Sequence, residues 1–341
     1  MKTAPVIDAL RRRGVEHVLV HTGQHYDRAM SQVFFEELGI EAPQHDLRVG
    51  SGTHAQMTAR VMERLEPVLE HERPDAVLVP GDVNSTLAAA LTATKLVLPV
   101  GHVEAGLRSF DRSMPEEVNR VLTDAVSTWL FTHSPEAEAN LLREGAALEA
   151  IHPVGNTMID TLVRLRDRID AAGREAHPDL PDRGFVVTTL HRPALTDGPL
   201  LAVAVEALRR VAAQIPVLFP IHPRTLARCR EQGVALDGLR VVEPLGYLEF
   251  VGLVARARAV LTDSGGVQEE TTFLGVPCFT LRDNTERPIT VEQGTNVLLG
   301  LAPERIAELP ELLAGAPAAP AAPAGWDGRA GERIADVLAR R

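Results

Sequence analysis

Glu104, Glu116 and Glu117 are interleaved with Arg108, Arg112 and Arg120 within residues 101–120, GHVEAGLRSFDRSMPEEVNR. Carboxylates are the side chains that remove and return protons, and arginines beside them hold anions or fix their orientation. An apolar run ends at His102 and Glu104, and Pro115 opens a helix whose first turn carries Glu116 and Glu117. Ligands of open α/β sheets bind at the carboxyl ends of strands, where this stretch would sit. Read alone, it is equally a solvated connection with compensating charges.

Further residues of the same kind recur at strand ends. In VLVPGDVNST, Asp82 ends a strand and faces a helix start, while Asn84 and Ser85 are better placed to cap that helix. His191 and His222 each end a strand, where they could hold a phosphate or assist a leaving group. In AVLTDSGGVQEETTFLG, Ser264, Gly265 and Gly266 join a strand to a helix. Glycines allow close backbone approach, and the free amides of a helix start suit phosphate. Glu270, one turn into that helix, is placed to accept from ribose hydroxyls, and Arg287 could reach the same phosphates. Gly50 to Ala55 also match GxGxxA, but a poor strand precedes them and Asp82 comes too late. A glycine turn capping a helix from Thr53 explains that stretch better.

The elements that must position these groups alternate. Strands are expected at 16–20, 76–79, 97–103, 129–132 and 151–154, with helices at 4–12, 26–38, 53–70 and 116–127. After a polar stretch at 164–183, expected as a helix end and linker, strands resume at 185–190, 217–221, 239–242, 259–262 and 277–281. This is the pattern of parallel sheets covered on both faces. The expected architecture is α/β, with two doubly wound Rossmann-like domains and a cleft between them. Residues 1–165 form the first, joined by a C-terminal helix at 326–341. Residues 184–313 form the second, and the Ala/Pro-rich 314–325 is a spacer.

Composition bounds the partners. With 35 basic against 46 acidic residues the net charge is −11, which argues against nucleic acid or an anionic membrane. The two cysteines, Cys229 and Cys278, fit neither a disulfide framework nor metal spacing and suit a reducing compartment. No signal peptide or membrane span is visible, so a cytoplasmic protein is expected.

GQHYD (23–27), PGDVNST (80–86), GHVEAGLRSFDRSMPEEVNRVLTD (101–124), LHR (190–192), LTDSGGVQEE (261–270) and RDNTERP (282–288) occur in this order. Together they closely resemble the non-hydrolysing UDP-N-acetylglucosamine 2-epimerases along nearly the whole chain. The resemblance implies a GT-B-like fold, a homodimer, a UDP-sugar substrate, and neither metal nor nicotinamide cofactor. The implied reaction inverts C2 by eliminating UDP and adding it back. The implied catalytic residues are Asp82, Glu104, Glu116 and His191, with Arg120 one turn beyond Glu116 to orient it. The helix dipole keeps Glu116 ionised, which favours a base role. Ser264, Gly265 and Gly266 are implied at the phosphates, Glu270 at the ribose and Arg287 at the diphosphate. Phe250 falls at the uracil, Lys2 near the nucleotide and His222 near sugar or phosphates, whereas Asp111 and Glu117 are expected to be structural.

Two departures accompany the resemblance. The family begins with a strand ending in a GTRPE-type loop, and this chain starts beyond it; the expectation is a start site upstream, and weak or no epimerase activity without that loop. Gln24 and His25 match the bacterial branch's second UDP-sugar site, but Tyr26, Asp27, Ser51 and Gly52 differ, so activation by substrate is not expected. Alternative readings are an epimerase of UDP-2,3-diacetamido-glucuronate, a hydrolysing epimerase, and an inactive UDP-sugar-binding protein.

Overall fold

The structure, a computed structural model, describes residues 1–23, 36–315 and 321–340. GQHYD beyond Gly23, including the Gln24–His25 pair, lies outside the described residues. Contacts divide the chain into two compact units, Met1–Arg164 with Ala324–Arg341, and Leu165–Pro323.

In the first unit, strands β1 (Val20–His21) and β2 (His45–Asp46) form a parallel pair. Strands β3 (Val77–Pro80), β4 (Val100–Val103), β5 (Trp129–Thr132) and β6 (Ile151–Pro153) form a separate parallel sheet in that order. Strand alternation gives this sheet two apolar faces. Val79 and Val100 pack with Val61, Leu65 and Leu69 of helix His54–Glu72 and with Ala88, Ala90 and Ala93 of helix Asn84–Lys95. On the other face Val103, Trp129 and Phe131 meet Val6, Ala9 and Leu10 of helix Ala4–Arg12, and Ile334 and Ala335 of helix Ala330–Leu338. Gly101 is required there: a Cβ would lie 2.5 Å from Leu78 and 3.0 Å from Phe131.

The glycine turn at 50–52 caps a helix, as its sequence suggests. Thr53 accepts from the Gln56 amide and Gln56 reaches back to the Thr53 amide, a complete capping box. The strand expected at 97–103 starts only at Val100, because Val97 turns with φ of 60° and is exposed.

The second unit is one parallel sheet in the order β12-β11-β10-β7-β8-β9. The strands are β7 (Val186–Thr189), β8 (Val217–Pro220), β9 (Arg240–Val242), β10 (Ala259–Thr262), β11 (Cys278–Thr280) and β12 (Asn296–Leu298). The last of these is too short and too polar to have been expected. Val186, Phe219 and Leu261 pack with helix Leu200–Ala212 on one face, while Val187, Leu218 and Val260 pack with helix Tyr247–Arg256 on the other. The stretch 164–183 is not merely a helix end and linker. It contains helix Arg166–Ala176, which packs on Tyr247–Arg256 so closely that a Cβ on Gly173 would lie 2.4 Å from the Gly252 backbone. Its polar composition hid this, because only Ile169 and Gly173 of that helix are buried. Strand order reverses between β7 and β10, and ligands of such sheets bind at the carboxyl ends flanking that switch.

Candidate functional site

In the first unit, the chemistry gathers at the carboxyl ends of β3 and β4. After β3, Gly81 turns with φ of 70° and presents Asp82. After β4, Glu104 itself has φ of 75°, a left-handed conformation costly for a side-chain-bearing residue. The amides of Glu104 and Ala105 both donate to the Phe131 carbonyl, at 3.1 and 3.0 Å, which fixes that turn. Lys2 forms an ion pair with the Glu104 carboxylate within this unit.

Arg120 does not orient Glu116. It is buried and bridges Asp82 Oδ2 (2.5 Å) to Glu117 Oε2 (2.7 Å). On helix Pro115–Val126 the i−3 neighbour of Arg120 is Glu117, and the fold brings Asp82 to the same guanidinium. Glu117 also accepts from Ser109 N, Ser109 Oγ and Phe110 N, at 2.8, 2.9 and 2.9 Å, bracing the loop as its structural reading requires. Asp111 closes a local turn through Ser113 N and Oγ. The Glu116 side chain, in the first helical turn, makes no hydrogen bond or ion pair with any described residue.

A buried pair beneath these residues has a role that the sequence assigned to neither member. His102 Nδ1 lies 2.6 Å from Asp124 Oδ1 and Nε2 lies 2.7 Å from the Gly81 carbonyl. Between these two partners His102 clamps the turn before Asp82. Burial works against the Asp124 charge, but His102 and Arg108 hold its carboxyl below the usual range.

In the second unit, His191 follows β7 and Asp263 follows β10, the two strands at the topological switch. Asp263 Oδ2 accepts from the amides of His191 and Arg192, both at 2.7 Å, and Oδ1 lies 2.8 Å from His191 Nδ1. His222 caps helix Pro223–Glu231, its Nδ1 accepting from Arg224 N at 3.2 Å. The two imidazole centroids are 6.4 Å apart. Ser264 makes no side-chain cap on helix Gly265–Leu274, which leaves the first amides of that helix for a ligand. Gly265 is packed so tightly that a Cβ would meet Arg287 Nη1 at 2.5 Å and Glu286 Oε1 at 2.8 Å. Arg287 is thereby fixed beside the turn, paired with Glu286 (2.5 Å) and Glu269 (3.1 Å). Burial opposes the Glu286 charge, yet Arg287 and Arg282 hold its carboxyl far below the ordinary carboxylate range.

Gln268, also unassigned from sequence, ties this region together. Its Oε1 accepts from Thr285 Oγ1 (2.7 Å) and Asn296 Nδ2 (3.0 Å), and its Nε2 donates to the Ser264 carbonyl (3.2 Å). Glu270 is buried beside Tyr247. Burial and the charge of Glu269 push its carboxyl up to about 8, against the opposing Tyr247 hydroxyl. Phe250, on the helix that carries Tyr247, is half-buried against the core. The sequence shows Asp263, Gln268, Glu269 and Glu270 clustered after β10, which a plain turn does not explain, but it gives neither Asp263 nor Gln268 a partner.

The family model described as UDP-N-acetylglucosamine 2-epimerase matches residues 8–339. The chain belongs to that family. It is 42% identical over 355 residues to the UDP-N-acetylglucosamine 2-epimerase of Methanocaldococcus jannaschii, covering 99% of this chain and 95% of the relative. It is 44% identical over 335 residues to the UDP-2,3-diacetamido-2,3-dideoxy-D-glucuronate 2-epimerase of Pseudomonas aeruginosa, covering 97% and 93%. A crystal structure of the Methanocaldococcus jannaschii enzyme, in complex with UDP-GlcNAc and UDP, matches with a TM-score of 0.92 over 100% of this chain and 96% of that one. This family member accordingly has the GT-B-like α/β fold that the motifs imply, and its relatives are isomerases by name.

Proposed function

We propose that the protein converts UDP-N-acetylglucosamine to UDP-N-acetylmannosamine without hydrolysis. A carboxylate removes the C2 proton, the C–H electrons form a C1–C2 double bond, and the C1–O bond to the diphosphate breaks. UDP leaves, taking up a proton from His191 at a β-phosphate oxygen. Re-addition of UDP, with a proton delivered to the other face of C2, gives the epimer. The observation that carries this reading is the set of three carboxylates in one family framework, Asp82 and Glu104 held by cations and the Glu116 side chain by none among the described residues. Pairing with cations fixes the orientation of Asp82 and Glu104, and a carboxylate at a helix start favours proton removal.

In the second unit, Ser264, Gly265 and Gly266 hold the phosphates with Arg287 beside them. Glu270 takes the ribose, Phe250 the uracil, and His222 and Lys2 complete the substrate contacts. The division of the chain follows the same reading, with a sugar-side domain of residues 1–165 plus 326–341 and a UDP-binding domain of residues 184–313. The protein works as a homodimer in the cytoplasm, supplying polysaccharide synthesis. Exposed Phe110, Val118 and Leu122 support a self-association surface, and two free buried cysteines support a reducing compartment.

The test is incubation with UDP-N-acetylglucosamine in deuterated water, followed by NMR at C2. Deuterium at C2 with the nucleotide sugar intact is expected, and Glu116→Gln is expected to slow it by about 100-fold or more. Free sugar plus UDP, or binding without exchange, overturns the reading. The Pseudomonas relative makes UDP-2,3-diacetamido-glucuronate the necessary second substrate of the assay.

A further inference from the structure

Asp263 does more than brace a turn. It is almost fully buried at the end of β10, and one of its oxygens already satisfies the amides of His191 and Arg192. That contact alone would serve a structural role. The second oxygen, however, lies 2.8 Å from His191 Nδ1, an ion-pair contact off the line of a hydrogen bond. A carboxylate oxygen and a ring nitrogen at that distance repel through their lone pairs unless the nitrogen carries the ring proton.

His222, at the end of the neighbouring strand β8, is set the opposite way. Its Nδ1 accepts a backbone amide of helix Pro223–Glu231, so that nitrogen carries no proton and Nε2 carries one. Burial, His191 and Arg224 all push the His222 ring toward this neutral form, with Asp263 opposing.

We propose that Asp263 is the positioning residue of His191: it keeps a proton on Nδ1 and so makes Nε2 the atom that exchanges a proton with the leaving phosphate, while His222 is held as a neutral Nε2–H donor. The role given to Nε2 rests on the epimerase reading; the tautomer assignment does not. Burial works against the Asp263 charge, but His191 and the two amides hold its carboxyl below the usual range, so it remains an acceptor. The arrangement forms only through the pairing of β7 with β10, in which Thr189 stands opposite Thr262.

The experiment is long-range 1H–15N correlation NMR on histidine-labelled full-length protein, with His191→Gln and His222→Gln used for assignment. The expected result is a protonated Nδ1 on His191 throughout the pH range, with only Nε2 changing state, and the reverse tautomer on neutral His222. Asp263→Asn retains an oxygen for the two amides but turns an NH2 toward the ring. It is expected to remove the Nδ1 proton from neutral His191 and to lower kcat by about 100-fold, with KM and UDP binding held. A wild-type His191 lacking the Nδ1 proton overturns the proposal without any variant. So does an Asp263→Asn protein with unchanged kcat, or one whose loss lies wholly in UDP binding. If the wild type shows no epimerisation but the Asn variant still switches the tautomer, the positioning assignment stands and the reaction assigned to the site falls.

Discussion

Arg120 shows how a single side chain can be recognised correctly and paired wrongly. Its helical spacing placed it near Glu116, yet the guanidinium is buried between Asp82 and Glu117. Removing one partner from a buried charge network leaves the others unpaired, so Arg120→Leu is expected to cost about 3–5 kcal/mol. Urea denaturation measures this; an unchanged midpoint would show the bridge to be unimportant. Glu270 makes a prediction with a definite sign. Its folded value is raised from 4.5 to about 8, so the native state holds an extra proton between those limits. The unfolded state binds fewer protons there, and stability therefore falls as pH rises from 4.5 to 8. Glu270→Gln is expected to flatten that slope when urea midpoints at pH 5 and 8 are compared with those of the wild type.

At the scale of elements, two junctions decide the geometry. The turn into helix Gly265–Leu274 has no room for a side chain, because Arg287 and Glu286 occupy the space. Gly265→Ala is expected to displace Arg287 and weaken UDP binding about tenfold or more, read by calorimetry; unchanged affinity would remove Arg287 and this turn from the phosphate site. The other junction is Asp160, whose carboxylate accepts from the amides of Ala330 (3.1 Å) and Gly331 (2.7 Å) at the start of the C-terminal helix. It caps that helix from a distance of 170 residues in sequence. Asp160→Ala is expected to lower stability by about 1–2 kcal/mol, as loss of a helix cap does. The helix also seats Gly331 against Pro5, where a Cβ would lie 2.5 Å from the Pro5 carbonyl oxygen. Strand ends were legible where an apolar run stopped at a polar residue, as at 129–132 and 259–262. They were misjudged where a turn interrupts the run, as at Val97, and β12 was missed because Asn296 and an exposed Val297 break the pattern.

At the scale of the whole molecule, the chain's two tryptophans offer a probe. Trp129 and Trp326 are both buried in the first unit, and the second unit contains none. If UDP is held by the second unit, saturating UDP is expected to shift the far-UV circular dichroism transition more than the tryptophan fluorescence transition. Ligand at about 100 times Kd contributes about 2.7 kcal/mol to the unit that binds it. Equal shifts by both probes would argue against UDP binding by the second unit alone. What the sequence determined by itself was the alternation of strands and helices, the residue types at strand ends and the motif order that marks the family. These are local properties, fixed by spacing, turn chemistry and the side chains that each strand end presents. Only the tertiary structure decided the partners: Arg120 with Asp82, His102 with Asp124 and Gly81, and His191 with Asp263. Each of these contacts joins groups from different elements, and strand order and register set their distances. A partner chosen by sheet pairing leaves no trace in the spacing of either residue.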